Sequence, residues 1–348
     1  MKKLLFLLCI ITFMGCKTPF QQNSITIKNN GNDSLFTIAF GSCDNQKIKN
    51  ELWLAIDQNN PSVWIWGGDN IYSDTEDMKV LNDNYQIQKQ DPEYLKFIQN
   101  KIIMGTWDDH DYGANDGGEE YPLKRESQQL FLDFIGTSKN ALERKRDGVY
   151  TSKIITIDNN KVKIIVLDSR FFRTALTKAT DSTKRFQPND FGQGTLLGSD
   201  QWKWLENELQ TSDANFNIIV SSIQFLSNKH GFETWGNFPH EVEKLEKMIV
   251  STKAKGTIMI SGDRHISTFS SKIIDSLPYP LVDFTSSGLT HTYKGFSGEE
   301  NPYQKGEVVK DINFGLLKFD FKNNKVIMEI RGIDNKLMQQ FIQIYPAN

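Results

Sequence analysis

Apolar positions along the chain fall into short continuous or alternating runs, separated by polar turns and by stretches of helical periodicity. The runs Leu35–Phe40, Val63–Trp66, Ile102–Thr106, Val149–Ile157, Val162–Leu167, Phe216–Val220, Thr257–Ile260, Leu281–Thr285, Phe314–Phe319 and Val326–Ile330 predict strands, being short, rich in β-branched and aromatic residues and bounded by turn formers. Between them Lys47–Gln58, Asp200–Gln210 and His240–Ser251 predict helices. In the second, Trp202, Leu205 and Leu209 mark one face and Ser199 is placed to cap the start. Strands alternating with helices predict an α/β layered domain. Late strands joined only by turns, as at Lys322-Asn323-Asn324, predict that part of the sheet is antiparallel.

Polar clusters fall where the strands end. Phe40 is followed by Gly-Ser-Cys-Asp, Trp66 by Gly-Gly-Asp-Asn-Ile-Tyr-Ser-Asp and Thr106 by Trp-Asp-Asp-His-Asp. Leu167 is followed by Asp-Ser-Arg and Ile260 by Ser-Gly-Asp-Arg-His. Loops at the carboxyl ends of strands in α/β sheets converge, and sites form there. One such cluster would be an ordinary polar loop; their repetition predicts a common site.

The first residues follow another pattern. Lys2 and Lys3 precede an apolar run from Leu4 to Met14, then Gly15 and Cys16. A charged start, a run too short to span a bilayer and a small residue before a Cys predict a secretory signal over 1–15, with Cys16 as the lipid attachment point. A simple cleaved signal with a chance Cys is the alternative. The polar residues 16–34 read as a flexible tether, and 35–348 as the folded domain. Net charge is only −3 over 348 residues, with Lys and Arg spread along the chain, so nothing encodes a nucleic-acid surface. No protein partner is inferred. With Cys9 in the signal and Cys16 lipidated, Cys43 remains the only thiol, and no internal disulfide can form.

Asp263 and His265 are one residue apart. In an extended chain they project to one face and can reach one metal, with Gly262 letting the backbone come close; a plain Asp–His hydrogen-bonded pair is the other reading. Asp69, presented by Gly67-Gly68, can bridge two cations. Tyr72 can ligate as phenolate only beside a strong Lewis acid, its ordinary pKa being about 10; otherwise it packs on the core. Asp108-Asp109-His110-Asp111 crowds carboxylates that would take up protons without cations nearby. Asp109 is an oxygen-ligand candidate and His110 the proton donor to a leaving alkoxide, against the reading of a solvated acidic loop. Asn115 and Asp116 are candidates for a hard ion such as calcium. Arg170 and Arg173 carry planar forks suited to phosphate oxygens, against the commoner surface arginine. His291 is placed behind the ligands, and His230 and His240 at a rim. Cys43 is either an inert buried thiol or a thiolate ligand. Thiolate, phenolate, carboxylate and imidazole together suit a trivalent transition metal better than magnesium or calcium alone.

As a set, these segments resemble the alkaline phosphatase D (PhoD-like) family of the metallophosphoesterases. The carriers are Phe-Gly-Ser-Cys at 40–43, Gly-Asp-Asn-Ile-Tyr-Ser-Asp at 68–74 and Trp-Asp-Asp-His-Asp at 107–111. Leu-Asp-Ser-Arg-Phe-Phe-Arg at 167–173, Leu-Gly-Ser-Asp-Gln-Trp-Lys-Trp-Leu at 197–205 and Ser-Gly-Asp-Arg-His at 261–265 follow in family order. The resemblance implies a four-layered α/β/β/α sandwich with mixed sheets. It implies ferric iron held by Cys43, Asp69, Tyr72, Asp263 and His265, and a second site, usually calcium or another divalent ion, completed by Asp69, Asp109 and Asn115. Asn115 and Arg170 would contact the substrate phosphate. The resemblance sets in almost at the start of the chain, leaving no room for the N-terminal β-domain of larger members. Ser221-Ser222-Ile223-Gln224 stands where related enzymes place a histidine, Asn70 follows Asp69, and Ser267 or Thr268 replaces an acid.

The expected chemistry is in-line attack on a small phosphoester by metal-bound hydroxide, with His110 as general acid. The expected place is outside the cytoplasm, as a periplasmic or cell-surface lipoprotein touching a bacterial membrane only through its anchor. Phosphodiesterase or phospholipase-like activity is the first alternative and sulfate-ester hydrolysis a further one. A surface lipoprotein that binds a ligand without catalysis is the reading from another class.

Overall fold

The inner strands carry apolar residues on both faces, so each sheet must be covered twice. The computed structural model describes residues 24–27 and 35–346. An eight-stranded sheet runs, edge to edge, through Ser24–Ile27, Thr151–Ile157, Asn160–Val166, Phe216–Val220, Thr257–Ser261, Leu281–Thr285, Ser267–Lys272 and Gln304–Val309. A six-stranded sheet runs through Leu337–Ile344, Lys325–Arg331, Phe314–Asp320, Phe36–Gly41, Val63–Gly67 and Ile102–Thr106. Both sheets mix parallel and antiparallel pairs.

Alternation assigns the layers. Phe40, Ile65, Val166, Val220, Ile260 and Leu317 meet between the sheets in one core. Their neighbours Ala39, Trp64, Trp66 and Leu316 face outward from the smaller sheet, under the helices that bring Trp53, Phe97 and Phe131. Ile165, Ile219 and Met259 face outward from the larger sheet, under Leu205 and Leu209 of Gly198–Gln210 and Leu245 of Pro239–Thr252. The result is the α/β/β/α order expected.

Local departures have local causes. The helix expected over Lys47–Gln58 is only Trp53–Asp57, because Asn50 Oδ1 accepts the Leu52 N–H and holds the chain in a turn before it. Helix Gly198–Gln210 starts ahead of Ser199, which therefore does not cap it; Thr195 Oγ1 accepts the Gly198 N–H instead, at 2.9 Å. Within the expected tether, Ser24–Ile27 is a strand paired in parallel with Thr151–Ile157. Its Ser-Ile-Thr-Ile alternation supplies the β-branched residues that an edge strand needs. Cys16 and the expected signal lie outside the described residues. No helix among the described residues is long and apolar enough to cross a membrane.

Candidate metal centre

The carboxyl ends of strands from both sheets meet along one edge. Thr106 donates to the Leu167 carbonyl (2.7 Å), Ser42 to the Ser286 carbonyl (3.1 Å) and Ser222 to Asp108 (2.7 Å), joining the sheets there. Two glycines make the approach possible. A Cβ on Gly68, at φ +99°, would lie 2.7 Å from the Asp108 Cβ, and one on Gly262 would lie 2.6 Å from the Gly67 carbonyl oxygen. Cys43, Asp69, Asp263 and His265 all have positive φ, between 51° and 67°. Non-glycine residues in that region cost about 1–3 kcal/mol each and persist where the surroundings enforce them, commonly at functional sites.

Ligand-competent atoms of Cys43, Asp69 and His265 lie within 4.8 Å of one another. Tyr72 turns its hydroxyl toward them, 3.1 Å from Asp69 Oδ2 and 3.5 Å from His265 Nε2, rather than into the core. Cys43 Sγ lies 3.4 Å from Asp69 Oδ2 and 3.0 Å from Ser287 Oγ, and burial pushes its pKa up to about 11. Burial, with the charges of Cys43 and Asp109 beside it, holds the Asp69 carboxyl well above its usual range. Asp69 Oδ1 and His265 Nδ1 are buried without a hydrogen-bond partner. Strained backbone, unpartnered donor atoms and disfavoured anions all fit a metal ion, which would restore the charged forms.

A second trio shares Asp69: its carboxylate, that of Asp109 and a ring nitrogen of His110 again lie within 4.8 Å. Asp109 is fixed by the N–H groups of His110 (2.9 Å) and Asp116 (2.7 Å). Asp108 and Asp111 form a capping box around the short helix Asp109–Tyr112, which sets the direction of His110. Nδ1 of His110 contacts Asp74 Oδ2 at 2.7 Å, and its ring stacks 4.3 Å from that of Tyr72.

Several expectations need correction. Asp263 and His265 are not in extended chain: both are left-handed in a turn closed by Arg264 N–H to the Gly262 carbonyl. Asp263 brings its main-chain oxygen to 3.6 Å from Cys43 Sγ. Burial, with Asp108 nearby, pushes the Asp263 carboxyl up to about 8. Asn115 is exposed, and its amide donates to Asp116 (3.1 Å). Asp116 stands in its place, with its carboxylate within 4.8 Å of those of Asp109 and Glu233. Arg170 is no exposed phosphate clamp. It is fully buried, and its fork is taken by Asp108 and Glu233. Arg173, also buried, pairs with Glu233 at 2.8 Å. Carboxylates converging in the interior require counter-charges there, and these two arginines supply them.

Four side chains that shape the site escape a reading of strand-end clusters. Glu233 lies in Gly-Phe-Glu-Thr-Trp-Gly, with no strand before it to flag it. Ser287 carries no charge, yet it touches Cys43 and accepts the His265 N–H (2.8 Å). Ser222, within the Ser221–Gln224 stretch that stands where related enzymes place a histidine, bonds Asp108 and Ser169. Asp74 was inside a motif without an assigned role. His291 packs 4.6 Å from the His265 ring and 4.9 Å from that of Tyr72, as its placement behind the ligands implied.

Alkaline phosphatase D of Bacillus subtilis (strain 168) is 25% identical over 201 residues, which cover 49% of this chain and 32% of that protein. The match therefore spans about a third of that relative's length. The solved structure of PhoD superposes with a TM-score of 0.68 at 18% identity, over 88% of this chain and 68% of that one. A dimetal phosphatase from Danio rerio superposes at 0.54 and 10% identity, over 90% of this chain and all (100%) of the other. At these identities the two structures establish the shared two-sheet fold. The PhoD-like phosphatase family model matches residues 81–326, well over half of the sequence, and the chain belongs to that family.

Proposed function

We propose that the protein is a metal-dependent phosphoester hydrolase, with ferric iron held by Cys43, Asp69, Tyr72 and His265 and a divalent ion such as calcium held by Asp69 and Asp109. One observation carries the reading: a thiol, a carboxylate, a phenol and an imidazole converge where Asp69 Oδ1 and His265 Nδ1 lack partners. When bound, the cations supply an activated water for in-line attack on phosphorus and neutralise phosphoryl oxygens. His110 supplies the proton for the leaving oxygen. Burial alone would lower its pKa, but the bond to Asp74, which lies outside the ligand set, raises it and favours the protonated ring. Asp74 also fixes the ring, leaving the other nitrogen for the reacting ester. The net charge of −3 suits a small phosphoester better than a long polyanion.

Metal analysis of the purified protein beside its visible spectrum tests this. Stoichiometric iron and a coloured charge-transfer band from thiolate or phenolate are expected. A colourless, iron-free, fully active protein would sink the assignment of Cys43 and Tyr72. The proposal also places the protein outside the cytoplasm with a lipid on Cys16, supported by Lys2-Lys3, the apolar run and Gly15. Fatty-acid labelling should disappear in Cys16→Ser; persistent labelling would refute the anchor.

A further inference from the structure

A hollow of about 180 Å³ is walled by Lys184, Phe186, Pro188, Asn228, Phe232 and Glu300 among others, and two of its wall residues flank Glu233 of the acidic cluster. We propose that it is the subsite for the organic group of the ester and that it selects a planar group of one or two rings. The inference rests on the phosphoester reading and names its substrate class.

The centre and the cavity share a wall. Glu233, whose carboxylate clusters with those of Asp109 and Asp116, is the residue between Phe232 and Thr234, both of which line the cavity. Arg185, next to Phe186, pairs with Asp116. Arg264, between Asp263 and His265, lies 4.2 Å over the Phe232 ring and is itself tied to Glu299. The organic substituent of an ester with its phosphorus at Asp69 and Asp109 would reach this hollow past the Asp116–Arg185 pair.

The walls choose the occupant. Phe186 and Phe232 offer aromatic faces, and Phe232 is left 37% exposed, surface that a flat ring would cover. An apolar cavity of about 150 Å³ takes benzene. The present volume therefore admits a ring or two. Its shape is fixed from behind. The N–H groups of Arg185 and Phe186 both donate to the Gly231 carbonyl, at 2.9 and 2.8 Å. Gly231 has φ +83°, and a Cβ there would meet Lys184 Cγ at 2.6 Å.

Phosphonates, which are not hydrolysed, test this by calorimetric titration of the metal-loaded protein. Phenylphosphonate should bind roughly tenfold more tightly than methylphosphonate, the scale of one aromatic contact, and cyclohexylphosphonate should fall between them. Phe232→Ala should bring the phenyl-to-methyl ratio toward one, and Phe232→Trp should keep it. Equal affinities in the wild type, or a ratio that Phe232→Ala leaves in place, would overturn the subsite. Cyclohexylphosphonate binding as well as phenylphosphonate would overturn the planar selectivity. If methylphosphonate binds and phenylphosphonate binds no better, only the subsite falls. If neither binds and no phosphoester is cleaved, the phosphoester reading falls and takes the subsite with it.

Discussion

Two ends of the same acidic cleft solve one electrostatic problem differently. Around Asp116 and Glu233 arginines gather: Arg170 and Arg173 on Glu233, Arg185 on Asp116, and Arg170 again on Asp108, while Asp109 is held by main-chain N–H groups. Around Cys43, Asp69 and His265 no guanidinium pairs with any of the three among the described residues, and hydroxyls such as Ser287 are the neighbours instead. The first end is neutralised by the chain itself. The second has no arginine of its own, and a cation would satisfy its unpartnered Asp69 Oδ1 and His265 Nδ1. Donor residues alone therefore do not mark a metal site; donors without counter-ions do.

Arg170→Met attacks the self-neutralised end and should have the largest effect. It strands Asp108 in the interior and leaves Glu233 with Arg173 alone, at a cost of about 3–5 kcal/mol, read in a denaturant melt of metal-free protein. A change below about 1 kcal/mol would break the contrast. Cys43→Ala should do the reverse. Metal-free stability should move by only about 1 kcal/mol, while iron content collapses and turnover falls by more than the roughly 100-fold that residues behind metal ligands control. At the junction, His110→Ala should slow alkyl esters about a hundredfold and activated aryl esters far less. Equal losses on both would make His110 a ligand or a structural residue. Ser287→Ala, which removes the hydroxyl beside Cys43 and the acceptor for the His265 N–H, should lower iron affinity about tenfold; titration of apo-protein with iron measures it.

The layers were legible because Trp64-Ile65-Trp66 and Ile218-Ile219-Val220 are apolar on both faces, leaving no reading but a doubly covered strand. The helices Met78–Lys89 and Lys124–Phe134 were not, since each is mostly polar and commits few large side chains to the core, such as Leu81 and Tyr85 in the first. The site was legible wherever a charged side chain directly follows a strand, as at Asp69 and Asp109. It was not legible where the decisive fact is a backbone angle, as at Asp263, or a pairing between distant segments. The burial of Arg170 follows only once Asp108 and Glu233 are brought to it by separate segments, and no local pattern announces that.

The edge strand Ser24–Ile27 bears on the proposed lipid anchor, because it would set the length of the tether. It runs parallel to Thr151–Ile157, which is antiparallel to Asn160–Val166, so its first residue, Ser24, points to the edge where the Val166 end and the metal centre lie. Residues 17–23 can span at most about 25 Å when fully stretched. A lipid on Cys16 would hold the domain that close to the bilayer, with the catalytic edge on the tethered side. Lengthening the tether with a flexible insert after Cys16 should then alter turnover of membrane-borne esters and leave that of freely dissolved ones as it was; equal effects on both would mean that the tether sets no geometry.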